Sequence, residues 1–277
     1  MFSRNYTSEG DIIYKQENTI PEEDNTSVLK LDDSYLKILV ISDLHFGNSK
    51  DRLDRIDRAF NYCLKNNIHI IFCCGDLLDG TYSQVIQNIP EFYEQVDYFI
   101  KKYPFDKNIL TFGVGGDHDL SGITDKGQNF LEAIYNYRHD CIIPSFCNAI
   151  IKIKDASILL HHHIQKGKIP GNYFINFFGH SHKYDVNIEK NGRMVVKVPS
   201  LSDINVQTYD LLPFAIEAEL IYEKGKLSII RMGQIYFGDK DYMLNKVTYE
   251  IPSNKKKKFE DVDENIQETD GQFVKKL

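Results

Sequence analysis

The chain has 277 residues, 42% hydrophobic and 26% charged, which excludes a disordered or fibrous protein and suits one large domain with a substantial core. Much of its formal charge of −7 comes from residues 1–35, where eight acids face three bases, so the body keeps no basic face with which to grip nucleic acid. No run approaches the roughly 20 apolar residues that span a bilayer, so no membrane partner is expected.

In chain order, residues 1–35 read as an acidic extension of weak periodicity, 36–252 as the catalytic domain, and 253–277 as a charged tail in which Lys255–Lys258 is followed at once by acids. Within the domain, the apolar run 38–42 predicts a strand buried on both faces. Over 51–65, Leu53, Ile56, Phe60, Cys63 and Leu64 recur at helical spacing and predict a helix packed on a sheet. A second buried strand follows at 69–74. Phe92, Val96, Phe99 and Ile100 then mark another helix, and 109–114 a third strand. This βαβαβ succession predicts a parallel sheet whose site lies beyond the carboxyl ends of the strands.

After a helix near 130–135 the pattern turns to strands at 149–153, 157–160, 173–178, 194–198, 214–222 and 227–235. Turns such as Lys190-Asn191-Gly192 and Glu223-Lys224-Gly225 join some of them, so the second half reads as mainly antiparallel. Five cysteines, an odd number with Cys73 and Cys74 inside an apolar run, point to a reducing compartment, read here as the cytoplasm. Nothing in the sequence fixes an oligomeric state.

The chemistry sits at the strand ends. Asp43-Leu44-His45 follows the first strand, Gly75-Asp76-Leu77-Leu78-Asp79 the second, and Gly116-Asp117-His118-Asp119 the third; His161-His162-His163 and Gly179-His180-Ser181-His182 close two later strands. Seven of the nine histidines fall in these clusters, leaving only His69 and His139 elsewhere. Carboxylates mixed with imidazoles, without thiolates, suit manganese, iron or zinc. An aspartate bridging two such ions about 3.5–4 Å apart is the arrangement in which a bound hydroxide attacks phosphorus.

Taken together and in this order, DLH, GDLLD, GDHD, HH and GHSH resemble the calcineurin-like metallophosphoesterase superfamily, whose pattern runs DxH, GDxxD, GNH(D/E), H and GHxH. The resemblance spans Asp43 to His182. It implies a layered α/β/β/α metallophosphoesterase-type sandwich and a metal-dependent hydrolase of phosphate esters, phosphodiesterase or phosphatase, with two divalent ions, manganese first and iron or zinc next. Asp43, His45 and His182 resemble the ligands of one ion, Asp76 the bridge, and Asp117, His162 and His180 the ligands of the other. His118 resembles the histidine that protonates the leaving oxygen or stabilises the transition state, and Asp119 its orienting partner.

Two positions depart from the pattern. Asp117 stands where the family usually has asparagine, which adds a negative charge. The three consecutive histidines leave the ligand open, and the spacing from Ile158 favours His162 with His161 second. The motif endings lean toward the diesterase and nuclease branch, while the acidic balance leans against a nuclease. A fold that has lost turnover and binds a protein partner is the remaining reading.

Overall fold

Side chains of Tyr35–Ile41 (β3) alternate between two cores: Leu39 and Ile41 pack with the helices, Ile38 and Val40 against a second sheet. Ile70–Cys74 (β4) divides the same way, with Ile71 and Cys73 on the first side and Ile70, Phe72 and Cys74 on the second. That period of two is why both runs read as uninterrupted apolar sequence.

The structure is a computed structural model that describes residues 2–6, 12–16, 34–82, 86–162, 173–189, 192–204, 213–237 and 241–251. Its first half alternates strands and helices: β3, α1 (Leu53–Lys65), β4, α2 (Phe92–Lys102), β5 (Leu110–Val114), α3 (Asp117–Lys126), α4 (Phe130–Tyr137) and β6 (Cys141–Ile142). β3, β4, β5 and β6 are parallel neighbours. The second half is strands: β7 (Asn148–Ile153), β8 (Ala156–His161), β9 (Ile175–Phe178), β10 (Asp185–Ile188), β11 (Met194–Lys197), β12 (Phe214–Glu223), β13 (Lys226–Phe237) and β14 (Asp241–Glu250).

β12, β13 and β14 extend the first sheet antiparallel from β3, giving the order β14-β13-β12-β3-β4-β5-β6. The remaining strands form a second sheet, β10-β11-β9-β8-β7, whose two inner pairs are parallel and outer pairs antiparallel. The parallel βαβ first half and mainly antiparallel second half are therefore both present.

Helices α1, α2 and α4 bury Ile56, Phe60, Phe92, Phe99, Phe130 and Ile134 against the outer face of the larger sheet. Phe72 fills the space between the sheets, with Phe177 at 6.4 Å and Phe112 at 6.5 Å between ring centres. Full burial of one such side chain contributes about 1.5–3 kcal/mol. A helix layer, a seven-stranded sheet and a five-stranded sheet are thus stacked. These layers make the mixed α/β sandwich that the sequence reading expects.

Within the acidic extension, Phe2–Tyr6 (β1) and Ile12–Gln16 (β2) pair antiparallel, a hairpin that the weak periodicity does not announce. The charged tail 253–277 lies outside the described residues. Among those residues no helix is long and apolar enough to cross a membrane.

Candidate metal centre

Because β3, β4 and β5 are parallel, the chain leaves all three at the same edge of the sheet. Asp43 and His45 follow β3, Asp76 follows β4, and Asp117 is the first residue of α3 after β5. β8 and β9 run parallel to each other in the stacked sheet and deliver His162, His180 and His182 to the same edge. Five of these seven residues adopt left-handed backbone: Asp43 (φ 54°), His45 (φ 50°), Asp76 (φ 48°), His180 (φ 69°) and His182 (φ 55°). Such a conformation costs a non-glycine residue about 1–3 kcal/mol, and conformations of this kind tend to cluster at functional sites. The other non-glycine cases among the described residues, Asn67, Lys154 and Lys224, stand between elements.

Two sets of donors result. In one, His182 Nε2 lies 3.4 Å from Asp43 Oδ1, and the His45 and His182 ring centres are 5.4 Å apart. In the other, Asp117 Oδ1 lies 3.1 Å from His162 Nε2 and 3.2 Å from His180 Nδ1. Asp76 Oδ2 stands between them, 3.1 Å from His162 Nε2 and 3.9 Å from His45 Nε2. Within the set Asp43, His45, His182 and within the set Asp76, Asp117, His162, His180, the potential ligand atoms all lie within 4.8 Å of one another.

Both sets fit divalent cations by their chemistry. His45 is 1% exposed, and neither of its ring nitrogens has a hydrogen-bond partner; Nδ1 lies 3.4 Å from Asp79 Oδ1 but out of alignment. A buried unpaired imidazole is costly, and a cation beside it would remove that cost. Burial pushes the Asp43 carboxyl up, but the imidazoles of His182, His162 and His45 outweigh this and hold it at about 2. Burial also opposes ionisation of Asp117, and His162 and His180 overcome it, holding it well below the usual carboxylate range.

The imidazoles mirror this. Burial would lower His162, yet Asp76 and Asp117 hold it well above its ordinary value; Asp117 raises His180, and Asp43 raises His182 against its burial. Carboxylates that draw protons onto these rings draw cations equally, and a bound cation displaces those protons.

His162 and not His161 enters the cluster: His162 is fully buried with Nδ1 2.7 Å from the Cys74 carbonyl, while the His161 ring packs 5.1 Å from that of Phe178. His163 lies outside the described residues. Asp117 turns its Oδ1 toward His162 and His180. Asp119 does not reach the His118 ring: its two oxygens accept from the amides of Leu77 (3.0 Å) and Leu78 (2.8 Å), bracing the turn that presents Asp76. Burial, reinforced by the charge of Asp76, pushes the Asp119 carboxyl up to about 8.

The partner of His118 is Asp79, whose carbonyl lies 2.6 Å from Nδ1. Asp79 is buried and its carboxylate takes hydrogen bonds from Asn48 Nδ2 (2.8 Å) and Gln87 Nε2 (2.7 Å), so the residue whose carbonyl meets His118 is itself fixed in place. The sequence reading assigns it no role, although its fixed place in GDLLD is a signal. Tyr82, whose hydroxyl donates to Asp117 Oδ2 at 3.3 Å and whose ring centre is 4.3 Å from that of His118, carries no signal.

A family model for calcineurin-like phosphoesterases matches residues 36–210. Among solved structures, the chain is similar to Vacuolar Protein Sorting 29 from Cryptosporidium parvum, with 18% identity over 79% of this chain and 100% of that one and a TM-score of 0.46. It is also similar to Yfce, a phosphoesterase from E. coli (14% identity, 76% and 98% covered, TM-score 0.47), and to a dimetal phosphatase from Danio rerio (9%, 79% and 99%, 0.46). A search of curated proteins finds no match.

Proposed function

The chain belongs to the calcineurin-like phosphoesterase family, and on that premise we propose that it hydrolyses phosphate esters with two divalent cations. The observation that carries this reading is the place of Asp76 Oδ2 between His162 and His45, which makes one carboxylate common to both donor sets. Asp43, His45 and His182 would hold one ion, Asp117, His162 and His180 the other, and Asp76 both. Donors of oxygen and nitrogen without thiolate favour manganese, with iron or zinc as alternatives.

Cations bound there supply Lewis-acid activation of water and neutralise charge on the phosphoryl oxygens. The chain's own groups do the rest. Protonated His118 keeps its Nδ1–H on the Asp79 carbonyl, which orients the ring so that the Nε2 proton can pass to the leaving oxygen. Asp119 acts at one remove, through the turn at Leu77 and Leu78.

The catalytic domain is taken as residues 36–252, because β12 pairs with β3 and carries β13 and β14 beyond the matched family region. The five cysteines are free, four of them buried, which supports a reducing compartment such as the cytoplasm. Elemental analysis of active protein, with a chromogenic phosphodiester and monoester assayed in manganese and in EDTA, tests the reading. Two ions per chain and hydrolysis lost in EDTA are expected; full activity with one ion or none would overturn it. No turnover from a two-ion protein would favour a binding protein that kept the fold.

Asp117→Asn provides a second check. Removing the charge whose Oδ1 faces His162 and His180 should preserve the fold and weaken one manganese site at least about tenfold. Superimposable manganese titrations of the two proteins would remove Asp117 from the ligand set.

A further inference from the structure

Beyond β11 the chain returns to the site in the segment 199–204, which carries no ligand but touches two of them. Ser200 Oγ donates to the Asp43 carbonyl at 2.8 Å, and Leu201 N donates to the Ser42 carbonyl at 3.1 Å. The Ile204 carbonyl lies 3.3 Å from His182 Nδ1. Asp43 and His182 are both left-handed, so these contacts fall where the backbone is held against its own preference.

The segment is in turn held from the start of α1. Arg55 Nη1 lies 2.7 Å from Asp203 Oδ1 and donates to the Leu201 carbonyl at 3.0 Å. Arg52 Nη1 donates to Asp203 Oδ2 at 2.7 Å, and Asp203 N donates to the Lys50 carbonyl at 2.9 Å. Arg55 is only 5% exposed. Inside the segment, Ser200 Oγ and Ser202 Oγ are 2.7 Å apart, which fixes the turn between the two ligand contacts.

We propose that Asp203, clamped by Arg55 and Arg52, is a positioning residue for the ion held by Asp43, His45 and His182. By fixing the segment it aims the Ile204 carbonyl at His182 Nδ1. A carbonyl there takes the Nδ1–H, which selects the tautomer whose Nε2 lone pair is free to ligate beside Asp43. The same segment holds the peptide of Asp43 through Ser200. This inference rests on the two-ion reading and adds to it a device that no ligand motif contains. An ion pair that only held the surface together would contribute little to stability and nothing selective to metal binding.

The test is calorimetric titration of manganese into metal-stripped wild type, Asp203→Asn and Arg52→Gln, with the Tm of each metal-free protein. In Asp203→Asn one of the two binding steps should weaken about 10–100-fold, the usual effect of disturbing a group that orients a ligand, while the other stays unchanged. Arg52→Gln removes one of the two partners of the carboxylate, at a side chain 33% exposed, and should weaken the same step by a smaller factor. It decides the matter should Asp203→Asn fail to fold. Titrations that superimpose on wild type, or both steps weakening equally alongside a fallen Tm, would overturn the proposal while leaving the two-ion reading in place. A wild type that binds no manganese would overturn both.

Discussion

His118→Gln is expected to lower turnover by about 10²–10⁴-fold, the usual contribution of a positioned proton donor, while manganese content and KM stay near those of wild type. The geometry separates this histidine from its neighbours. Its amide donates to Asp76 Oδ1 at 3.1 Å, its Nδ1 is held by the Asp79 carbonyl, and its ring meets that of His45 edge-on at 4.6 Å. Glutamine keeps the length of the side chain and its position on α3 but carries no transferable proton. A ring nitrogen of His118 also lies within 4.8 Å of the donor atoms of His45 and Asp76. The variant therefore decides between two roles: manganese lost in step with activity would make His118 a ligand, and activity lost from a fully loaded protein would make it the acid. His180→Ala should show the reverse order, losing metal first.

Periodicity made the first half of the fold legible, because strands buried on both faces and helices with one apolar stripe leave strong patterns. β3, β4, β5, α1 and α2 all appear within a few residues of their expected places. α3 was hidden because Asp119, Ser121 and Gly122 are the residues it buries, so its inner face is polar and small. β14 was hidden for the opposite reason: as an edge strand, residues 243–248 are exposed on both faces and show no alternation.

The candidate site was legible where chemistry outweighed packing, and less so where the local backbone mattered. Ile158 and Leu160 face the neighbouring sheet, so by the period of two His162 continues toward the site and His161 turns to Phe178. The family resemblance implies Asp119 as the orienting partner of His118, but its oxygens accept from Leu77 N and Leu78 N instead. On a helix, residues 117, 118 and 119 point about 100° apart, so Asp119 faces the β4 turn while Asp117 faces His162 and His180. The Arg52, Arg55 and Asp203 clamp, which joins residues about 150 positions apart, could not be seen before the fold was known.

Gly116→Ala is expected to cost about 10²-fold or more in activity and to weaken both manganese sites together. The backbone of Gly116 is extended (φ −143°), so an alanine could adopt it; the obstacle is space. A Cβ there would collide with Asp76 Oδ1 and lie 2.6 Å from Asp76 N. A backbone nitrogen cannot swing aside like a side-chain tip, and this one is tied in place, since Leu44 N and His45 N donate to the Asp76 carbonyl at 2.8 and 3.0 Å. Either the junction of β5 and α3 or Asp76 itself must move. A misplacement of about 1 Å at a reacting centre is enough for a 10²-fold loss, and because Asp76 Oδ2 stands between the donor sets, neither ion would escape it. Gly127→Ala is the control. That glycine caps α3 in left-handed backbone (φ 67°) with nothing within 4 Å of an added Cβ, so alanine there should lower stability by about 1 kcal/mol and leave both manganese sites intact. Equal manganese affinities in Gly116→Ala and wild type would mean that the strand-end junction yields without moving Asp76, and the close approach of Gly116 would then have no part in the site.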